Sequence, residues 1–212
     1  MRFLITAGPT REPIDPVRYL SNRSSGKMGY ALAAAALARG HEVVLVSGPV
    51  SISAPDGATL VRVETAQQMY DAVAAAIPGA DAAIFCAAVA DYRVAEVAGE
   101  KIKKTGETLT LTLVKNPDLL GSARSVFGFT GLLVGFAAET EKLAEHALDK
   151  LRRKGCDLLV ANDVSRPDIA FDRDENEVEL FYRDGRHEVL ARASKAEIAE
   201  GLVARVENLR EA

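Results

Sequence analysis

Only two cysteines and three histidines occur among the 212 residues. Cys86 and Cys156 sit in apolar runs (A-I-F-C-A-A and C-D-L-L-V-A), the setting of small buried hydrophobes in a reducing cytosol rather than of a disulfide or a nucleophile. His41, His146 and His187 are scattered, so neither a zinc site with His/Cys spacing nor a histidine-centred triad can be drawn. No window approaches the roughly 18 uninterrupted apolar residues that a membrane span needs. The apolar stretch behind Arg2 ends at Pro9 and Arg11, too soon for a secretory leader. A net charge of −4 speaks against a broad basic surface for nucleic acid. The expectation is a cytoplasmic protein without nucleic-acid or membrane partners, in which any metal arrives bound to phosphates.

What is present is a repeating pattern. Arg2–Ala7, Glu42–Ser47, Asp81–Ala87, Leu132–Ala137 and Cys156–Ala161 are short runs apolar on both faces, as strands of a covered parallel sheet are. Between them lie helical stretches, Lys27–Arg39, Thr65–Ile77 and Glu141–Lys154, two of them followed by Gly40 and Gly155, where a left-handed C-terminal residue is cheapest as glycine. A last helix is expected over Lys195–Leu209. The alternation predicts one α/β domain over residues 1–212, a doubly wound, mostly parallel, Rossmann-like sheet with helices on both faces. Two segments depart from it. The charged segment from Asp91 to Gly106 precedes Thr108–Val114, a strict period-two strand with a threonine face and a leucine face, expected to pair at an edge or with another chain. Glu177–Tyr182, R-D-G-R and His187–Leu190 read as a β-hairpin with a D-G turn.

The stretch S-N-R-S-S-G-K-M-G opens the first helix and looks like a phosphate loop, yet it fails both standard patterns. A Walker loop needs a glycine where Ser21 stands and a hydroxyl where Met28 stands. After the first strand, G-P-T-R-E-P-I-D lacks G-x-G-x-x-G. The underlying physics remains: Ser24, Ser25 and Gly26 precede a helix whose free N–H groups and dipole favour an anion. The connection from Gly8 to Ser25 is several times the usual length and carries Arg11, Arg18, Asn22 and Arg23, with arginines suited to bidentate phosphate recognition. Lys150 and Lys154, four apart, share a helix face.

Six blocks in order, T-A-G-P-T-R-E-P-I-D-P-V-R-Y-L-S-N-R-S-S-G-K-M-G, A-A-V-A-D-Y-R, E-K-I-K-K, K-N-P-D, G-F-A-A-E-T and A-N-D-V, resemble bacterial phosphopantothenoylcysteine synthetase, the ligase half of a bifunctional coenzyme A flavoprotein. The resemblance spans essentially the whole chain. It implies joining of 4′-phosphopantothenate to L-cysteine, with CTP activating the carboxylate as an acyl-cytidylate and Mg²⁺ accompanying CTP. It also implies a homodimer with an extended arm (dimerisation strand about 108–114, flexible segment about 91–106). The flavin-dependent decarboxylase half is absent here, consistent with a stand-alone enzyme or a piece of a longer protein.

By the same resemblance Lys101, Lys150 and Lys154 match nucleotide-contacting lysines, and Asn116, Pro117, Asp118 and Leu119 the nucleotide loop, where Asn116 would also cap the next helix. Phe136 matches a residue packed near the nucleotide. Asp91 would accept from ribose hydroxyls or orient Mg²⁺, and backbone groups of Ala87, Ala88 and their neighbours to Ala90 would read the base. Asn22, with Arg18 as partner, is the candidate for the chemical step, donating to the developing oxyanion or holding the incoming amine. Ser24, Ser25, Gly26 and Asn162 would bind the acid substrate; metal ligands are not assigned. Two other readings compete, a nicotinamide-dependent reductase and a nucleotide- or flavin-binding module without turnover. The first lacks its glycine fingerprint and an acidic residue after the second strand.

Overall fold

The computed structural model describes residues 1–104, 106–139, 141–163 and 174–211. Thr105 of the charged segment, Thr140 of G-F-A-A-E-T and Val164 of A-N-D-V therefore lie outside the described residues. In chain order the elements are β1 (Arg2–Ala7), β2 (Arg11–Pro13), β3 (Tyr19–Ser21), α1 (Lys27–Ala38), β4 (Glu42–Ser47), β5 (Thr59–Arg62), α2 (Ala66–Ala76), β6 (Ala82–Phe85), β7 (Tyr92–Val94), β8 (Leu113–Lys115), α3 (Leu119–Ser125), β9 (Leu132–Glu139), α4 (Leu143–Lys154), β10 (Leu158–Asp163), β11 (Glu175–Tyr182), β12 (His187–Ser194) and α5 (Lys195–Glu211).

The main sheet runs β12-β11-β10-β9-β6-β1-β4-β5. Strands β5 to β10 in that order are parallel; β11 and β12 extend the sheet antiparallel. Period-two alternation divides the core. Phe3, Ile5 and Ala7 of β1 face α1 and α5, whereas Leu4 faces the layer that holds α2, α3 and α4. The chain winds outward from β1 through β4 to β5, then returns to start again at β6. The topological switch point thus lies between β1 and β6, and ligands of open α/β sheets bind outside the carboxyl ends of the strands at that point.

Gly29 sets how close α1 approaches β1. A Cβ there would stand 2.5 Å from the Ala7 Cβ, with Thr6 and Ala7 backbone atoms behind it. Gly29→Ala is therefore expected to destabilise the protein by about 1 kcal/mol net in denaturant titrations, because overpacking costs about 1–3 kcal/mol and the better helix former recovers roughly 1 kcal/mol. A variant more stable than the wild type would show that α1 can shift off β1.

Two expectations need correction, and one strand is new. The strand foreseen over Thr108–Val114 is confined to Leu113–Lys115, paired antiparallel with β7. Alternation alone makes no strand: Thr112 continues the pairing through its carbonyl, which accepts from Ala95 N–H at 2.9 Å, but residues 108–111 form no strand and Leu109 stays 58% exposed. The helix after K-N-P-D is capped by Asp118, whose Oδ1 accepts from Gly121 N–H at 2.9 Å, and not by Asn116, because the helix begins only at Leu119. Strand β5, four residues at the sheet edge, was not foreseen, being too short for a periodic signal. The C-terminal hairpin forms as expected around Gly185, and a bulge interrupts it between Asn176 and Val178.

Candidate active site

The long connection after β1 is folded. Strands β2 and β3 form a small hairpin, tied to the body by the buried carboxylate of Glu12, which accepts from Ala66 N–H at 2.8 Å at the start of α2. Its return leg delivers Asn22 to the switch point. There the backbone from Ala87 to Ala90 is fixed by its neighbours: Ala87 N–H donates to Thr6 Oγ1 (3.2 Å), Ala88 N–H to Gly8 O (2.9 Å) and Ala90 N–H to Thr10 Oγ1 (3.0 Å). Asn22 Nδ2 donates to Ala88 O at 3.2 Å and Val89 O at 3.1 Å, and Asn116 Nδ2 to Ala90 O at 2.8 Å. A primary amide has two hydrogens. Both of Asn22's are spent on carbonyls, so of its two expected roles the acceptor Oδ1, suited to an incoming amine, is the one this geometry leaves.

The three jobs of a dinucleotide fingerprint are also present, though the motif is not. Gly8 (φ 75°) turns the chain after β1, Gly26 (φ 78°) precedes α1, and Gly29 allows the close helix–strand approach. A Cβ on Gly26 would come within 3.3 Å of the Gly8 Cα. The inserted hairpin separates these glycines in sequence and hides the pattern. The N-cap residue of α1 is Gly26, which makes no side-chain cap bond to the first turn.

Two adjoining cavities open at this edge. The first, of about 670 Å³, is lined by Asn116–Leu119 and by the cations Lys115, Lys150, Arg153 and Lys154. The second, of about 600 Å³, is lined by Asn22–Gly29, Ala88, Asn162, Asn176 and Lys195. Ala87, Val89, Asp91, Phe136 and Lys150 line both and form the wall they share. Lys150 is held there by donation from Nζ to Phe136 O at 2.9 Å. Lys154 is committed to Asp118; although burial pushes the Asp118 carboxyl up, this lysine and the Gly121 N–H hold it below the usual range. Cys86 also lines the second cavity, and burial pushes its thiol up to about 12, so it is neutral and no nucleophile.

Arg18 and Lys101 lie outside both cavities in the single chain. Arg18 Nη1 binds Asp15 at 2.5 Å and the Ile102 carbonyl at 3.2 Å, while Ile102 N–H donates to Asp15 Oδ2 at 3.1 Å. Burial pushes the Asp15 carboxyl up, but the Val17, Ile102 and Arg18 N–H groups and the Arg18 guanidinium outweigh it, leaving about 2. The pair thus grips the backbone beside exposed Lys101. Lys115, Arg153, Asn176 and Lys195 line the cavities without having been expected there. The only advance signal was Lys195 inside S-K-A-E, an odd first residue for a helix.

A family model, the DNA/pantothenate metabolism flavoprotein C-terminal domain, matches residues 1–209. The chain belongs to that family. It is 52% identical over 188 residues, 87% of this chain and 46% of the relative, to the coenzyme A biosynthesis bifunctional protein CoaBC of Escherichia coli. It therefore spans about half the length of the curated relatives it matches. The crystal structure of the C-terminal domain of a CoaBC protein superposes with a TM-score of 0.85 at 40% identity, covering 99% of this chain and 95% of that one. A Cab2 variant in complex with phosphopantothenate-cysteine shares the fold at 19% identity, with a TM-score of 0.77 over 98% of this chain and 87% of that one.

Proposed function

We propose that this domain is a phosphopantothenate–cysteine ligase of coenzyme A biosynthesis that uses CTP. The observation that carries the reading is the pair of cavities meeting at one wall: a cation-lined one sized for a nucleotide, and one that begins at an uncapped helix N-terminus and ends at the same wall. A phosphorylated acid in the second would bring its carboxylate to the wall where the α-phosphate of CTP lies. The carboxylate oxygen attacks that phosphorus and pyrophosphate leaves. The cysteine nitrogen then attacks the acyl carbon, the C–O bond to CMP breaks, and the amine sheds its protons to the surroundings. Lys150 offsets charge at the phosphates, and Asn22 Oδ1 orients the amine. The relatives' role in coenzyme A biosynthesis and the phosphopantothenate-cysteine complex of a protein with this fold support the same substrates.

Magnesium enters this reading on the triphosphate. Among the described residues no three His, Cys, Asp or Glu side chains form a metal cluster. Of the carboxylates lining the first cavity, Asp118 is paired with Lys154 and Asp149 with Arg153, so Asp91 is the one that would meet the ion. The deciding assay follows two products: pyrophosphate released from CTP only with phosphopantothenate, and CMP released only when cysteine is added. Nucleotide binding without either product would leave a binding module instead.

The same reading includes a homodimer. Tyr19, Tyr92, Leu109 and Leu113 are large and exposed on segments outside the main sheet, where a second copy would cover them and offer an edge to residues 108–111. Light scattering is expected to give twice the chain mass at micromolar concentration; a monomer would count against the dimer.

A further inference from the structure

Asn116 Nδ2 donates to the Ala90 carbonyl at 2.8 Å, and Asn116 N–H to the Asp91 carbonyl at 2.8 Å. These bonds lock together two segments that line the first cavity, residues 90–91 and 116–119. A carboxamide fits its space equally well turned end for end, so its neighbours decide which end goes where. Ala90 O can only accept, and takes the amino end. The other end meets Arg93, whose Nη1 donates to Asn116 Oδ1 at 3.1 Å and to the Lys115 carbonyl at 2.8 Å. A guanidinium has donors and no acceptor, so with Arg93 in place only one orientation satisfies both sides.

Arg93 lines neither cavity. It is half-buried on β7 and makes no ion pair among the described residues. Its Nη1 is spent instead on two neutral oxygens of the segment that leaves β8 for the cavity, and a charged donor holds such oxygens more firmly than a neutral one. The bond to Lys115 O, at the end of β8, sets where Nη1 stands, and Asn116 Oδ1 is held to that point. The rest of the strand-end backbone is fixed from elsewhere. Thr6, Gly8 and Thr10 accept from the N–H groups of Ala87, Ala88 and Ala90, and Asn22 donates to the carbonyls of Ala88 and Val89. Asn116 supplies the hold on Ala90 O, and that hold depends on a side chain outside the cavities.

We infer that Arg93 is a positioning residue of the nucleotide cavity: through the Asn116 carboxamide it fixes the backbone of Ala90 and Asp91, against which CTP binds. The inference deepens the ligase reading and rests on it. Arg93 touches no reacting atom, so it acts on how tightly the nucleotide is held and not on the rate once the nucleotide is in place.

The test is a double-mutant cycle with two readouts, calorimetric affinity for CTP with Mg²⁺, and KM and kcat for pyrophosphate release. Arg93→Met is expected to weaken CTP binding and raise its KM about 10-fold, with kcat within about threefold of wild type. Asn116→Ala should lose at least as much, and adding Arg93→Met to it should cost less than about twofold more, because residues of one hydrogen-bond network couple. Arg93→Lys keeps a charged donor and is expected to bring the affinity back to within about threefold of wild type. Wild-type affinity in Arg93→Met or in Asn116→Ala, losses that multiply in the double variant, or a fall in kcat at unchanged affinity would each overturn the inference. A merely structural arginine would give the multiplied losses. Should Arg93→Met fail to fold, Arg93→Gln is expected to lose about threefold in affinity and nothing further in the Asn116→Ala background; an undiminished loss there overturns the inference. Wild type that binds CTP but releases no product would sink the ligase reading and leave the affinity cycle to judge Arg93, whereas wild type that does not bind CTP overturns both.

Discussion

Asn22→Asp is expected to keep phosphopantothenate-dependent pyrophosphate release within a few-fold of wild type while cysteine-dependent CMP release falls about 100- to 1000-fold. The reason is the hydrogen-bond inventory. The carboxamide donates twice, to Ala88 O and Val89 O, and keeps one acceptor oxygen. A carboxylate in its place would face those two carbonyls with no proton to give, and repulsion would push it away from the shared wall. The activated acid would still form, since the cations of the first cavity are untouched, but the amine would lose its guide. The pH dependence has a definite sign. Carbonyls around the new carboxyl favour its neutral form and raise its pKa, and the protonated acid can donate once again. Measured relative to wild type at each pH, the variant should therefore recover partly as pH falls. Amide formation at the wild-type rate would remove Asn22 from the chemical step.

The second large effect separates two lysines that the sequence presents as equals. Lys150→Met is expected to lower the pyrophosphate-releasing half-reaction about 100-fold, with a raised KM for CTP, because this ammonium lines both cavities and is held at their common wall by the Phe136 carbonyl. Lys154→Met should cost only about 10-fold. Its charge is already paired with Asp118, so a phosphate gains less from it, and its removal also frees the Asp118 carboxylate into the cavity. Steady-state kinetics on the two variants decide the point. Equal losses would mean that the Asp118 pair opens when nucleotide binds.

Local patterning carries much of this molecule. Runs apolar on both faces announce β1, β4, β6, β9 and β10; glycines after α1 and α4 mark where those helices stop; and the D-G turn announces the hairpin. These features depend on neighbours within a few residues, which is what a linear pattern records. The T-L-T-L-T-L run shows the limit: its alternation is sound, yet most of it forms no strand, because a strand also needs an edge to bond to and β7 is only three residues long.

The place of S-S-G at the start of α1, of Lys150 and Lys154 on α4, and of the strand ends as the edge where the two cavities open thus followed from the chain's own order of residues. Tertiary structure alone decided the rest. It joined Gly8, Gly26 and Gly29 into one turn across the inserted hairpin, turned both Asn22 hydrogens onto Ala88 and Val89, gave Asp118 to Lys154, and brought Lys195 and Asn176 from the far end of the chain to the cavity beside Asn162. The physical reason is that helix caps and apolar periods are short-range, whereas a site is defined by which buried polar groups find partners, and that depends on contacts between residues remote in sequence.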